Sequence, residues 1–447
     1  MSTLAAPRVA GLLALLLMAL PARGDEGLVA RLPGELSGSL GFEMRAFAGD
    51  PAFPGQEADN FSVSVFAEPE WYGEWDDGDQ SILFTPFVRG DSDDGRRTHA
   101  DIRELRYLFV GSGWELRAGI AKVFWGVTES IHLVDVINQD DAVEDVDGED
   151  KLGQPMLQLT WLPDAGTLQL FVLPGFRERT FPGRRGRLRP SLVIDDDDVG
   201  YEANWGQGHV DFAGRWSMMF DQWDVGISHF YGTGRDPRFR VRVDGDAPVT
   251  AADATTRLRL APLYDLVNQT GVDVQYTGDN ALWKLEAIGR AGQGSYRAAA
   301  AAGVEYTFYA VLGTEGDLGV LSEFLYDSFA APDVPSFAQL PPGGVPAAAL
   351  RADPRLAIEA PPSPFEHDVF AGFRWTRNDV QSTELLAGAI VDVKDGSRFW
   401  TVEASRRLGD RFKLSLDVRW FDGFASDSFF HSIIDDDFVQ LQIARYF

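Results

Sequence analysis

Phe438-Val-Gln-Leu-Gln-Ile-Ala-Arg-Tyr-Phe447 closes the chain, and its residue types alternate at nearly every step. Val439, Leu441, Ile443 and Phe447 fall on one side of a strand; Gln440, Gln442, Ala444 and Tyr446 fall on the other. Successive side chains of a strand point to opposite faces, so this segment has one greasy face and one wet face. Arg445 interrupts the apolar side and fits there only at an interface, where a long cationic side chain reaches polar groups.

Upstream segments repeat the pattern. Phe412, Leu414, Leu416, Val418 and Trp420 oppose Lys413, Ser415, Asp417 and Arg419, while Leu40, Phe42 and Met44 oppose Ser39, Glu43 and Arg45. A soluble sandwich alternates too, so alternation alone does not fix the class. The connections do. Strands read near 36–48, 60–71, 80–89, 100–110, 114–123, 155–162, 167–173, 209–220, 223–231, 263–276, 282–291, 299–311, 317–326, 369–376, 382–391, 398–406, 412–421 and 438–447 number 18. Connections such as Gly111–Gly113, Asp221–Gln222 and Arg407–Arg411 are short, whereas Phe124–Gln154, Pro174–Gly208, Gly232–Pro262 and Asp327–Asp368 are long. Short and long alternate by parity, which a sandwich has no reason to do. A membrane barrel with short periplasmic turns and long extracellular loops does.

The expected fold is therefore all-β, a transmembrane antiparallel β-barrel of about 18 strands, with 16 as the alternative because of Pro86 and the vague start of 263–276. Closure follows because an open edge in lipid leaves backbone groups unpaired. Residues 1–24, with Arg8 before the apolar run Val9–Leu20, read as a signal peptide. Residues 25–35 read as a short periplasmic segment and 36–447 as the barrel, with no separate domain. The chain has no cysteine, and a net charge of −28 argues against nucleic acid as a partner. Runs such as Asp195–Asp198 and Asp435–Asp437 read as solvated loops, and Ala330–Pro364 as a mobile outer loop, with an insert in the lumen as its second reading.

The polar strand faces supply the first candidate site. Glu43, Arg45, Glu68, Glu70, Glu104, Arg106, Glu115, Arg117, Asp211, Arg215, Lys284, Glu286, Glu305, Glu323, Arg374, Glu384, Glu403, Lys413, Asp417 and Arg419 are expected to line a wet lumen. Facing lipid, each charge would cost roughly 2–4 kcal/mol at the midplane. Acids outnumber bases among these residues, which predicts a weak cation preference. The third long connection carries Trp125, Glu129, His132, Asp135, Asn138 and Asp140 ahead of a crowded acidic tail. No spacing there matches a calcium loop, and no metal or cofactor is expected. Arg177, Arg179, Arg184, Arg185, Arg187 and Arg189 read either as an anion-attracting vestibule or lipopolysaccharide clamp, or as a loop pairing with the acids beside it.

Two resemblances add to this reading. The terminal strand ending on Phe447 resembles the closing strand of bacterial outer-membrane barrels, which implies that the barrel assembly machinery reads that end. Gly119-Ile-Ala-Lys-Val-Phe-Trp-Gly126, running into Thr128-Glu-Ser130 and Asp135-Val-Ile-Asn-Gln-Asp140, resembles bacterial outer-membrane porin-like families, as do 229–237 and 378–386. In porins the third loop folds inward, so that resemblance implies a constriction at 124–151. It also makes outer-membrane lipid and lipopolysaccharide the surroundings, a small polar solute the cargo, and a homotrimer one expectation. Catalysis has little to stand on: six scattered histidines, with His132 near Glu129 and Asp135 as the one local cluster.

Overall fold

The computed structural model describes residues 34–329, 340–341, 343–353, 357–358, 363, 365–425 and 428–447. The expected signal peptide, and all but the end of the 25–35 segment, lie outside the described residues, as does much of Ala330–Pro364.

Eighteen antiparallel strands form a single closed wall. They are Glu35–Phe47, Phe61–Trp75, Gln80–Asp91, His99–Gly111, Trp114–Ala121, Gln154–Trp161, Thr167–Pro174, Val210–Phe220, Trp223–Thr233, Leu266–Thr277, Ala281–Gly292, Ser295–Phe308, Asp317–Asp327, His367–Thr376, Glu384–Asp392, Arg398–Leu408, Phe412–Asp422 and Phe438–Tyr446. Each pairs with its neighbours along the chain, and the last pairs with the first, Phe438 opposite Phe47 and Tyr446 opposite Ser39. The count is 18, not 16. Among the described residues no helix is long and apolar enough to cross a membrane; the strands cross instead.

The outward face is apolar. Leu441, Ile443, Trp420, Phe324, Ile227 and Leu170 are exposed at mid-strand, as lipid-facing residues should be. Trp75, Trp114, Trp161, Trp223, Trp283, Phe308 and Phe412 stand exposed at the turn end, where amphipathic rings meet the interface. Arg445 lies beside this belt, opposite Phe412, and Phe447 N–H donates to the Gly38 carbonyl at 3.1 Å.

Pro86 does not break the wall. The ladder between Phe61–Trp75 and Gln80–Asp91 lapses between Ala67/Val88 and Trp71/Phe84 and resumes in the same register, so Pro69 stands opposite Pro86. On the other side of Pro86 the register slips between Thr85 and Pro86, placing an extra residue, Arg103, in the facing strand. Proline is tolerated in sheets at such bulges, where no donor is required.

Two expectations are corrected above the wall. The strand read at 263–276 is two elements: Leu258–Tyr264 belongs to a separate sheet, and the wall strand begins at Leu266. Likewise Gly232–Pro262 is not featureless, since Arg238–Val243 pairs with Leu258–Tyr264. With Val193–Ile194, Gly200–Tyr201 and Ala357–Ile358 this hairpin makes a five-stranded cap sheet. Leu192, Ile194, Phe239, Val241, Leu258 and Leu260 form its core. Burying them drives the loops to fold on one another.

Candidate functional site in the lumen

Strands Trp114–Ala121, Gln154–Trp161 and Thr167–Pro174 are 8 residues each, shorter than every other wall strand. Ile120 is opposite Leu105, so the chain leaves the wall while the neighbouring strand continues back to His99. Segment 122–153 therefore starts below the rim and turns into the barrel. Asn138 ties its base: Nδ2 donates to the Ala121 and Leu152 carbonyls (2.9 and 2.8 Å), and Oδ1 accepts from Val123 N–H at 2.8 Å.

Apolar packing holds the segment down. Trp125, Leu133, Val134, Val136 and Ile137 are buried against the inward residues Phe171, Leu173, Phe230, Ile288, Leu321 and Phe370. Each such side chain contributes about 1.5–3 kcal/mol on full burial. These wall residues face inward although apolar, because their partner is protein, not water.

The tip is gripped by two carboxylates. Glu286 accepts from the backbone N–H groups of Val127 (2.7 Å), Thr128 (3.0 Å) and Val134 (3.2 Å), and from Thr128 Oγ1. Glu323 accepts from the N–H groups of Glu129 and Ser130 (2.8 and 2.9 Å) and from Ser130 Oγ. Four consecutive peptide groups thus sit on two wall acids. Glu129 itself reaches Arg374 at 2.5 Å and Lys284 at 3.6 Å, and both cations also face Glu305.

His132 Nε2 lies 3.1 Å from Glu149, and its Nδ1 is 3.9 Å from Glu286, an ionic contact too long for a hydrogen bond. Burial alone would depress this imidazolium, but the two carboxylates push it up to about 10. Burial drives Asp135 up to about 6 against the pull of Lys151, whose ammonium sits 3.7 Å away and 2.6 Å from Asp140. Asp147 and Asp150 keep access to water, yet enclosure by protein raises them to about 7 and about 6, aided by the neighbouring Asp145.

The inward residues divide by height. Toward the loops, Glu43 pairs with Arg89 (3.0 Å) and Arg97 (2.8 Å), and Arg45 donates to Gln440. Asp211 pairs with Arg235, Arg215 with Asp273, and Arg419 bridges Asp147 and Glu403 at 2.9 Å each. Toward the turns, Glu68, Glu70, Glu104, Arg106, Glu115, Arg117 and Lys413 are half-buried and Glu384 is exposed, while the half-buried Asp417 stands at mid-height opposite Glu403 and Gln440.

Several charged residues escaped the reading by alternation. Arg103 was hidden by the bulge that puts it and Glu104 on one face. Arg290 shares the parity of Glu286 within the strand expected at 282–291, so alternation could have found it; Arg297 shares that of Glu305 but precedes the expected start at 299, because the strand begins at Ser295.

Five of the six fourth-loop arginines are taken up by partners within the protein, and Arg184 is exposed. Arg177 binds Asp101 (2.7 Å), Arg179 binds Asp140 (2.6 Å), Arg185 binds Glu57, Arg187 binds Asp436 (2.5 Å), and Arg189 donates to the Pro190 carbonyl. Their acids come from the strand His99–Gly111 and from other loops, not from the adjacent run Asp195–Asp198. Asp436 is fully buried, which corrects its reading as part of a solvated run. His99, Asp141 and Glu144 bring ligand atoms together, but Arg103 and Arg89 already occupy the two carboxylates.

Between the inserted segment and the wall of strands His367–Asp422 lies a cavity of about 650 Å³, bordered by Glu129, His132, Asp147, Arg297, Glu403 and Arg419, among others. A closed eighteen-stranded wall with an apolar outer belt, an aromatic turn-side girdle and a charged interior defines a bacterial outer-membrane β-barrel. No protein-family model matches the chain, and no curated protein does. Solved structures do resemble it in shape. A BenF-like porin from Pseudomonas fluorescens is 9% identical, with 93% of this chain and 97% of that one covered and a TM-score of 0.47. OccD3 of Pseudomonas aeruginosa is 11% identical, with 93% and 91% covered and a TM-score of 0.45. Wzi, a carbohydrate-binding β-barrel involved in group 1 capsule assembly in Escherichia coli, is 9% identical, with 91% and 83% covered and a TM-score of 0.45.

Proposed function

We propose that the chain is an outer-membrane channel for passive diffusion of small polar solutes, narrowed by segment 122–153. The observation that carries this reading is the cavity of about 650 Å³ beside the inserted segment, which both signs of charge border. Below it, half-buried inward charges on the turn side offer a wet exit. A field set by fixed charges sorts solutes by charge and size without a stereospecific site. Asp147, Glu149 and Asp150 stand exposed in the lumen, favouring cations.

Purified protein in planar bilayers should give discrete conductance steps, with a salt-gradient reversal potential of the cation-preferring sign. A silent membrane would favour the loop-sealed structural or adhesion barrel, and anion preference would overturn the charge argument. A hydrolase finds no support in the site: His132 is committed to Glu149 and Glu286, and Ser130 Oγ donates to Glu323. The reading also proposes lipopolysaccharide around the belt, the assembly machinery at Phe447, and a homotrimer as the assembled form.

A further inference from the structure

Cations on the turn-side rim stand on one arc. The first six turns, 76–79 to 309–316, hold acids such as Asp76, Asp164, Asp221, Asp279 and Glu315 but no lysine or arginine, and neither do the three strand residues flanking each turn. Arg377, Arg406, Arg407, Arg411, Lys413 and Arg445 lie instead at the last two turns and at the end of strand Phe438–Tyr446, against Asp379, Glu384 and Asp410 in the same turns and flanks. Arg406 and Arg377 share the one carboxylate of Asp379, at 3.4 and 3.7 Å. Arg407 and Lys413 are directly opposite one another, and among the described residues neither they nor Arg411 has an acid within ion-pair reach. The arc therefore carries positive charge that the protein does not neutralise.

Two of its members face lipid. Arg406 has the outward parity of Val402, and Arg445 that of Leu441 and Ile443, whereas Arg407 and Lys413 face the mouth of the lumen. Leu414 is directly opposite both Arg406 and Ile443, and Phe412 is directly opposite both Leu408 and Arg445. The two arginines thus flank the strand Phe412–Asp422, roughly 10 Å apart at the usual strand spacing. Phe412 belongs to the turn-side girdle, which puts both guanidinia at headgroup height. From there toward mid-bilayer the outward face is aliphatic, through Leu414, Leu416, Leu441 and Ile443, with no ring before Trp420.

We infer that this arc binds an anionic glycerophospholipid of the turn-side leaflet. Arg406 and Arg445 hold its phosphate, Arg411 stands at the adjoining turn, and the acyl chains lie along the aliphatic strip. Guanidinium forks suit phosphate oxygens. A phosphatidylethanolamine brings its own ammonium toward the arc, whereas a phosphatidylglycerol brings none. An anionic polymer or acidic protein in the aqueous phase would meet Arg407 and Arg411 but not the two arginines on the lipid face. The inference goes beyond the channel reading and does not depend on conductance.

The test is native mass spectrometry of the purified protein in detergent, titrated with phosphatidylglycerol or phosphatidylethanolamine. Arg406→Gln, Arg445→Gln, Arg411→Gln and the outer-loop variant Arg185→Gln are compared with the parent, each first shown to be folded by its heat-dependent gel migration. The parent should prefer phosphatidylglycerol about 25-fold, about five-fold for each lipid-facing arginine. Arg406→Gln and Arg445→Gln should each cut the preference about five-fold, Arg411→Gln should cut it less, and Arg185→Gln should leave it unchanged. Equal binding of the two lipids overturns the site, as does an equal loss in Arg185→Gln. Displacement of phosphatidylglycerol by equimolar glycerol 3-phosphate would show a phosphate site without a lipid and overturn the inference too. If Arg445→Gln fails to assemble, Arg406→Gln and Arg411→Gln still decide.

Discussion

The wall and the segment it encloses obey different rules. In Phe412–Asp422 the outward residues answer to lipid and the inward ones to water, so residue type tracks position with period two. In 122–153 the apolar side chains answer to Phe171, Phe230, Ile288 and Leu321 on strands far along the chain, and no local period survives. A strand in a membrane is specified by its solvent, whereas an inserted segment is specified by its receptor.

The largest expected effect breaks the wall's rule. Leu441→Arg places a cation on the lipid face at a cost of roughly 2–4 kcal/mol, whereas Ser415→Arg places one inside. Heat-modifiable folded protein should vanish from outer membranes for the first and persist for the second. Equal tolerance of both would end the distinction between the faces.

Next comes the receptor. Replacing Glu286 and Glu323 together by alanine removes charge-assisted bonds of about 1.5–3 kcal/mol each. Single-channel conductance should rise, and limited proteolysis should cut within 127–150, where the parent chain should resist. Unchanged conductance would mean that the segment does not set the aperture.

A subtler effect follows from titration. Asp147 at about 7, and Asp135 and Asp150 at about 6, lie above the ordinary carboxylate range, so their negative charge is present at high pH and lost as pH falls through those values. Cation preference, read from reversal potentials, should therefore weaken from pH 8 to pH 5. A flat profile would take these acids out of the selectivity argument. The smallest effect is expected at Arg185→Ala. That exposed pair with Glu57 should cost no more than about 1 kcal/mol, measured as the shift in urea midpoint.

What the sequence made legible follows from the same division. All eighteen wall strands could be read, because lipid imposes alternation on each one separately. Pro86 weakened one of them only because the cooperating bulge at Arg103 lies in the next strand. The cap hairpin was missed although Arg238-Phe-Arg-Val-Arg-Val243 alternates cleanly; the expectation of a long outer loop overrode a pattern that was present. Six fourth-loop arginines invited an anion site, since nothing local shows that Asp101, Asp140, Glu57 and Asp436 come to meet Arg177, Arg179, Arg185 and Arg187. Of the site, the residues on strands could be placed on the inner face, while their partners could not be named.

One consequence of the grip on Val127–Ser130 concerns how this protein can change over generations. Glu286 and Glu323 hold peptide N–H groups, which every residue but proline supplies. Thr128 Oγ1, Ser130 Oγ and Glu129 add side-chain contacts to that grip, but the four peptide contacts do not depend on them, so part of what keeps the segment in place is separable from what the lumen presents to a solute. New selectivities are therefore reachable by single substitutions that leave the four peptide contacts in place.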